Sequence, residues 1–363
     1  MPQALDEALG TRVGRAGCIL LLSAVLVTAI GCSATRLGVP RGDGAAGTPG
    51  TTGSASSSAG AGPVAVPRGR LIPVTVAEAL PHLADSAAAS QEIDFGNVAG
   101  AIAVDGRPSS KTSLRWVVGQ AENNLDRYGV FPRDDGFDVP DITSGFTVGT
   151  LSGQVTFLYG RFNTATIIGK FTAAGFQRQS ALNGTGVVLR AGARPSTLSA
   201  AFPVIDVSPT RLIYGFNLSN VTTAIASGSD TIAKNPAVKG IADCLGAAKA
   251  ATILPQGPWG IHDPVGTGVA ATSTHDLTNV LCISSPNPAA AHSLATTLAA
   301  KIKNRRTRNP DYWPTLYSNP KSTFLGGPAN IVRLTGQPVS TAGSALQFEV
   351  PPGEEGIAEL ITS

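Results

Sequence analysis

Apolar and polar positions divide this chain into a leading apolar run, a long polar stretch and a folded remainder. The apolar run covers residues 18–30 and follows Arg12 and Arg15. Residues 32–70 are rich in Gly, Ser, Thr, Pro and Ala and carry few large apolar side chains. Such a stretch buries too little apolar surface to offset the entropy of ordering it, so we predict an unfolded linker. Folded structure is predicted to begin near Leu71.

The clearest succession of elements lies in the middle of the chain. Residues 155–159 are β-branched and aromatic, which is typical of a strand. A helix is predicted over residues 164–174, with Asn163 as its N-cap. Residues 176–190 then turn at Asn183-Gly184, which predicts a β-hairpin. The predicted order is strand, helix, strand, strand.

A similar order recurs in the last third of the chain. The pattern predicts strands over 268–273 and 279–284, a helix over 288–303, and strands over 330–334 and 345–350. The repeated order indicates two diverged strand-helix-strand-strand modules. Helices mixed with antiparallel strands in this way favour an α+β fold, with the helices packed on one face of the sheets.

These elements divide the folded part into two α+β modules, residues 71–255 and residues 256–363. The second module can continue the sheet of the first, so the sequence leaves open whether the two modules form one domain or two. A further helix is predicted over residues 113–128, because apolar positions recur there at helical spacing and Gly129 follows.

The leading apolar run is too short to cross a bilayer, because a transmembrane helix needs about 20 apolar residues. A basic start, a short apolar core and small residues at the end are typical of an export signal. The final residues, Ala29-Ile30-Gly31-Cys32, resemble the lipobox of bacterial lipoproteins of the actinobacterial type. The resemblance implies removal of residues 1–31 and a diacylglycerol group on the sulfur of Cys32. It therefore implies a lipid-anchored protein on the extracytoplasmic face of the cell membrane. The alternative is an ordinary secretory signal.

Once the signal is removed and Cys32 is lipidated, Cys244 and Cys282 are the remaining cysteines. In an oxidising compartment, these two predict one disulfide, and two separately buried thiols are the alternative. The net charge of +3 over the whole chain is too mild to favour a nucleic-acid partner.

Two His-Asp pairs, His262-Asp263 and His275-Asp276, are the candidates for acid/base or metal chemistry. Imidazole and carboxylate groups suit zinc, and a His beside an Asp suits a general base. Adjacent residues on a strand point to opposite faces, however, so each pair supplies at most one group. Hydrogen bonding in turns and at strand ends is the favoured interpretation. We therefore predict no metal and no cofactor, and we lean against an enzyme.

The motif Ser318-Asn-Pro-Lys321 formally matches the Ser-x-x-Lys motif of penicillin-binding enzymes. In those enzymes the serine opens a helix, whereas Pro320 and the surrounding Tyr, Pro and Gly residues predict a loop. The companion motifs of that family are missing from the sequence. We interpret the match as chance.

Two other sets of residues are candidates for binding. Aromatic residues in Pro/Gly-rich segments can line a ligand cleft, although they pack into a core more often. These aromatic residues are Trp259, Tyr312 and Trp313. A run of cations complements the negative end of a helix, and it can also contact anionic headgroups or acidic glycans. These cations are Lys301, Lys303, Arg305, Arg306 and Arg308.

Together, these features predict a lipid-anchored envelope protein with a non-catalytic binding or accessory role. Its predicted partners are the membrane, through the anchor, and an envelope protein or glycan. One alternative is an envelope hydrolase that uses His262 or His275 with Asp263 or Asp276. Another is a solute-binding lipoprotein whose two lobes enclose a cleft lined by the three aromatic residues.

Overall fold

Local signals in the sequence set the helix boundaries. In the computed structural model, the side chain of Asn163 accepts a hydrogen bond from the backbone N–H of Thr166, and helix α3 follows directly. Asn235 accepts from the backbone of Ala237 and Val238 at the start of α6. Each side chain satisfies a backbone donor that the first helical turn leaves unpaired.

The structure describes residues 72–106, 114, 117, 121, 135–150, 153–179, 182, 186–193, 196–227, 230–258, 261–304, 317–339 and 360–361. They belong to one compact unit, residues 66–363. The α-helices with described bounds are α1 Val76–Ala79, α2 Val98–Asp105, α3 Thr164–Ala173, α4 Thr197–Ala201, α5 Leu218–Ala224, α6 Pro236–Leu245 and α7 Pro288–Asn304. Short 3-10 helices occupy Leu80–His82, Val139–Asp141 and Ile232–Lys234.

The described strands form one continuous sheet. They are β1 Ile93–Gly96, β2 Ile142–Val148, β3 Val155–Gly160, β4 Gln177–Gln179, β5 Val187–Arg190, β6 Val204–Val207, β7 Arg211–Gly215, β8 Ala250–Leu254, β9 Val265–Ser273, β10 Asp276–Ile283, β11 Tyr317–Gly326 and β12 Ile331–Pro338. Their spatial order is β11-β12-β10-β9-β8-β1-β2-β3-β7-β6-β5-β4. Every neighbouring pair is antiparallel. The predicted α+β class is therefore confirmed.

The sheet has the same connectivity in its two halves. One half runs β3-α3-β4-β5 and the other runs β10-α7-β11-β12, in the predicted order of strand, helix, strand, strand. From the junction of β1 and β8 outward, β1-β2-β3 corresponds to β8-β9-β10. The difference is the hairpin β6–β7, which lies between β3 and β5, whereas β10 pairs directly with β12. This topology supports two diverged modules. The sheet continues across residue 255, because β8 pairs with β9.

Helices cover both faces of this sheet, rather than one face as the sequence predicted. Along β10, Val280 and Cys282 pack in a core cluster with residues of α1, α5 and α6, and we name this side the α6 face. Leu281 and Ile283 pack with α7, on the opposite α7 face. The α7 face also carries α2, α3 and α4. The physical reason is that consecutive apolar residues on a strand point to opposite sides, so both sides require cover.

The disulfide between Cys244 and Cys282 is confirmed. It joins α6 to β10 on the α6 face, with a Cα–Cα distance of 6.2 Å. Both cysteines are buried in the same core cluster as Val280 and Ile241. The bond therefore fixes the helix that precedes β8 against a strand of the same half of the sheet.

Two opposed glycines bring a helix close to the α7 face of the sheet. Gly96 of β1 lies directly opposite Gly145 of β2. A Cβ on Gly96 would lie 2.3 Å from the backbone oxygen of Val117, and one on Gly145 would lie 2.7 Å from that of Ala121. Val117 and Ala121 are buried and helical, as predicted for residues 113–128; most of that segment lies outside the described residues.

Candidate functional site

The two His-Asp pairs lie at opposite ends of strand β9. His262 and Asp263 precede it, whereas His275 lies in the turn after it and Asp276 is the first residue of β10. Nine residues of extended chain separate the pairs, which corresponds to roughly 30 Å at about 3.3 Å per residue. Both histidine side chains are exposed to solvent. The structure therefore does not bring the two pairs into one site.

The second pair takes part in hydrogen bonds of the β9–β10 turn. Thr272 donates its hydroxyl to the carboxylate of Asp276, and the backbone N–H of His275 donates to Ser273 Oγ at 3.3 Å. In the described part of the chain, no group of three or more His, Cys, Asp or Glu side chains is placed to hold a metal ion.

Several candidate residues from the sequence lie outside the described part of the chain. They are Cys32, Trp259, Arg305, Arg306, Arg308, Tyr312 and Trp313. The aromatic ligand cleft and the lipidation site therefore stay predictions. Of the predicted cationic run, Lys301 and Lys303 are described, and both lie in the last turn of α7.

Lys301 and Lys303 have different surroundings. The Nζ atom of Lys301 donates to the backbone oxygens of Leu360 and Ile361, at 3.2 and 3.3 Å. Leu360 is itself buried against α7, so Lys301 holds a C-terminal segment against the helix. Lys303 is exposed and lines a groove beside the sheet.

This groove has a volume of about 430 Å³ and forms where α7 ends beside strands β10, β11 and β12. Its described lining consists of Thr278, Lys303, Asn319, Pro320, Lys321, Thr335, Gly336 and Gln337. The residues of this described lining carry two ammonium groups, two amides and two hydroxyls. No carboxylate belongs to this described lining.

Lys321 lies near the start of strand β11, where the strand is irregular. Asn319 has a positive φ of 51°, a conformation that Asn tolerates better than most residues, and Pro320 follows it. The pairing of β11 with β12 shifts register between Ser318 and Lys321. The side-chain amide of Asn319 donates to Gln337 Oε1 at 3.0 Å, which joins two lining residues. The motif Ser318–Lys321 thus belongs to a strand, and the loop predicted there was wrong.

The register of neighbouring strands shows on which face of the sheet each lining residue lies. Lys321 of β11 lies opposite Thr335 of β12, which lies opposite Val280 of β10. Because opposed residues share a face, Lys321 and Thr335 lie on the α6 face. Lys303 comes from α7, on the other side of the sheet. Both faces therefore contribute to the groove.

Lys303 lies on helix α7 and Lys321 lies on strand β11, and contacts between these two elements fix the position of one relative to the other. Ser322 donates its hydroxyl to the backbone oxygen of Ala295, and the rings of His292 and Phe324 lie 4.3 Å apart. Leu298 and Ile302 of α7 are buried against the sheet. Gly336 permits close packing beside Tyr317, because a Cβ on this glycine would lie 3.3 Å from the Cβ of that residue.

A second cavity, of about 610 Å³, lies between the segment after α1 and helix α5. Its lining includes Asp85, Asn220, Thr222, Thr223 and Asp230. The hydroxyls of Thr222 and Thr223 already donate to backbone oxygens of α5. This described lining carries two carboxylates and no cation, so it differs in charge from the groove beside α7.

The perturbed carboxyl of Asp206 lies away from the groove, on β6. Burial raises the pKa of Asp206 above its ordinary value of 3.8, and the guanidinium of Arg211 opposes that rise. Their side chains form an ion pair with an N–O distance of 3.5 Å. The pair joins the two strands of the β6–β7 hairpin, so we assign it to stability rather than to a site.

Sequence reasoning identified Lys303 but missed the groove. The sequence predicts a loop at Lys321, and Thr278, Thr335 and Gln337 carry no motif that points to a site. A signal was present in β11, where Asn319-Pro320-Lys321 interrupts the alternation of a strand with residues typical of an irregular strand edge. Such a signal marks an edge strand, but it does not say which helix end lies beside it.

No protein-family model matches this sequence, and no curated protein matches it either. Among solved structures, crystal form IV of a protein named TP0453 aligns with 70% of this chain and 90% of its own, with a TM-score of 0.37 and 11% identity. Crystal form I of the same protein aligns with 75% and 92% of the two chains, with a TM-score of 0.35 and 11% identity. In the described part of this chain, no helix is both long enough and apolar enough to cross a bilayer.

Proposed function

We propose that this chain is a non-catalytic binding module of the cell envelope, which takes its ligand in the groove between α7 and strands β10–β12. The observation that carries the proposal is that Lys303 and Lys321 line the same polar groove, whose described lining contains no carboxylate. A groove of about 430 Å³ also falls within the usual size of small-ligand sites.

The proposed location is the extracytoplasmic face of the cell membrane, with the lipid anchor on Cys32. Residues 29–32, whose pattern resembles a lipobox, support this part of the proposal. The linker of residues 32–70 would span on the order of 35 Å as a flexible coil. The folded unit could therefore reach partners at the membrane surface or in the envelope, and an envelope protein or glycan is the partner we expect.

A binding role is favoured over a hydrolase because the candidate catalytic groups are far apart. His262 and His275 lie at opposite ends of β9, and both are exposed. A general base must lie within hydrogen-bond reach of the group that it activates and needs an oriented partner. The solute-binding alternative depends on Trp259, Tyr312 and Trp313, and it stays a prediction.

The anchor is tested by the intact mass of the mature protein from its native membranes. We expect a chain that begins at Cys32 and carries a diacylglyceryl group. A mature chain that begins at another residue and lacks lipid would contradict the proposed location at the membrane. Globomycin-type inhibition of lipoprotein processing provides the control, because the unprocessed precursor should then accumulate.

The binding role is tested by native mass spectrometry of the same protein after gentle release from the membrane. We expect the wild type to retain a small-molecule adduct that the double variant Lys303→Gln, Lys321→Gln loses. Lys234→Gln is the matched control, because Lys234 is exposed but does not line the groove. If wild type and double variant carry the same set of adducts, the groove is not the binding site.

A further inference from the structure

The groove beside α7 offers charges that match one class of anion better than others. Its described cations are both lysines, whose ammonium groups act as compact point charges with three donors each. Carboxylates are matched best by the planar fork of Arg, and the described lining contains no Arg. Lysine is, in contrast, a common ligand of phosphate.

The number of positive charges in the described lining further narrows the class of anion that matches the groove. A phosphate monoester carries a charge of about −1.5 to −2 near pH 7, and its second pKa is about 6. The two ammonium groups of the described lining, Lys303 and Lys321, balance such a charge. A carboxylate or a phosphate diester carries a single negative charge, so either would match only one of the two ammonium groups in the described lining.

The volume and the remaining polar groups indicate that the ligand is larger than inorganic phosphate. At roughly 30 Å³ per water, a groove of about 430 Å³ holds the equivalent of about fourteen waters. Thr278, Thr335 and Gln337 add hydroxyl and amide groups that both donate and accept hydrogen bonds. Such groups are complementary to the hydroxyls of a polyol.

We propose that the groove binds the phosphate monoester of a polyol, with Lys303 and Lys321 on the phosphate and the amide and hydroxyl groups on the polyol. The irregular start of β11 supports this assignment. The positive φ at Asn319 and the register shift after Ser318 accompany the side-chain hydrogen bond that joins Asn319 to Gln337, so these two groove amides hold each other in place. The inference rests on the proposed binding function and names its ligand class.

The test uses the full mature protein in detergent and glycerol 3-phosphate as the probe, titrated by calorimetry. We expect saturable binding by the wild type, and a Kd about tenfold or more weaker for Lys303→Gln or for Lys321→Gln. Lys321→Arg keeps the charge and should retain most of the affinity. Lys234→Gln should bind like the wild type. Glycerol should not bind measurably, and inorganic phosphate should bind more weakly than glycerol 3-phosphate.

The pH dependence separates a monoester from other anions. Affinity for glycerol 3-phosphate should fall as the pH drops below about 6, because the probe loses its second negative charge there while both lysines stay charged. A phosphate diester probe, glycerophosphoglycerol, should show no such fall. Affinity for the monoester that is constant through this range would overturn the assignment.

The monoester can come from a soluble metabolite or from a lipid headgroup, and a competition experiment distinguishes the two sources. The anchored protein is placed in phosphatidylcholine vesicles with and without phosphatidic acid, and soluble glycerol 3-phosphate is titrated. A weaker apparent affinity in the presence of phosphatidic acid identifies the headgroup as a ligand. Equal affinity identifies the soluble compound. Either result supports the monoester class.

Two outcomes would overturn the proposal in distinguishable ways. If galacturonate binds in a manner that needs Lys303 and Lys321 while glycerol 3-phosphate does not bind, the ligand class is wrong and the binding function stands. If no anionic probe depends on either lysine and the native adducts persist in the double variant, both the ligand class and the proposed function fail.

Discussion

At the scale of single residues, buried polar groups in this sheet are held by specific partners on neighbouring strands. Thr252 of β8 donates to the carboxylate of Asp94 on β1, and Thr147 and Thr156 share a hydrogen bond of 3.0 Å between β2 and β3. Asp206 is only partly satisfied, because its Oδ1 atom has no hydrogen-bond partner. A buried carboxylate that is only partly satisfied makes stability depend on pH.

We predict that Asp206 makes the protein less stable as the pH rises above 3.8. Its folded-state pKa is raised above that ordinary value by burial, so in this interval the folded state binds more protons than the unfolded state. Stability therefore falls with rising pH until the folded pKa is passed. The stability of Asp206→Asn relative to the wild type should therefore increase as the pH is raised from about 4 to about 7. Urea unfolding at both pH values measures this difference.

The matched control is Asp85→Asn, which removes an exposed carboxyl elsewhere. Because the substitution of Asp206 also leaves Arg211 without its ion-pair partner, the informative quantity is the change with pH and not the absolute stability. A stability difference between Asp206→Asn and the wild type that stays constant over this range would contradict the prediction.

At the scale of elements, close contacts between backbones decide which helices can lie on the sheet. The glycine pair Gly96 and Gly145 leaves no side chain under the helical residues Val117 and Ala121. Gly160 shows the same requirement at the end of β3, where a Cβ would lie 1.9 Å from the backbone oxygen of Asp141. Such contacts explain glycines inside strands, where glycine is otherwise unfavourable.

We predict opposite effects for the same substitution at two glycines. Gly145→Ala places a methyl group 2.7 Å from the backbone oxygen of Ala121, so it should destabilise the fold by about 1–3 kcal/mol. Gly169→Ala in α3 meets no atom within 4 Å, so it should stabilise by about 0.5–1 kcal/mol, as expected for alanine in a helix. Chemical denaturation of both variants gives the two values. Equal signs would show that the close contact at Gly145 is absent in solution.

At the scale of the whole molecule, the sheet is protected at the two outer strands that the structure describes. Strand β4 is only three residues long and has the sequence Gln-Arg-Gln. Strand β11 carries Pro320 and Lys321 and has two register shifts along its pairing with β12. Short length, proline, charge and irregular pairing all oppose the addition of a further strand. The same features that protect β11 also form one wall of the candidate groove.

The disulfide acts at this scale, because it closes a long segment of chain. Cys244 and Cys282 are separated by 38 positions, so a chain-entropy model gives a stabilisation of about 4 kcal/mol. The double variant Cys244→Ala, Cys282→Ala should lose a stability of this order in urea. Reductant should lower the unfolding midpoint of the wild type and leave that of the double variant unchanged. A wild type that is insensitive to reductant while unfolding would contradict this prediction.

Local properties of the sequence determined the helices and the chemistry of the candidate residues. The start of α3 at Asn163 and the span of α7 were predictable, because capping and helical periodicity act over a few neighbouring residues. The pairing of Cys244 with Cys282 followed from counting cysteines after the lipobox-like motif was set aside. The strand predicted over residues 345–350 lies outside the described residues.

Only the tertiary structure decided the strand order, the covering of both faces and the groove. Strand pairing joins residues far apart in sequence, such as Ile93 with Ile253, so no local pattern specifies it. The run Val280–Ile283 did signal burial on both sides, since a strand with one exposed face alternates with polar residues. Lys303 and Lys321 line one groove because α7 packs on β11, and packing over long range sets that arrangement.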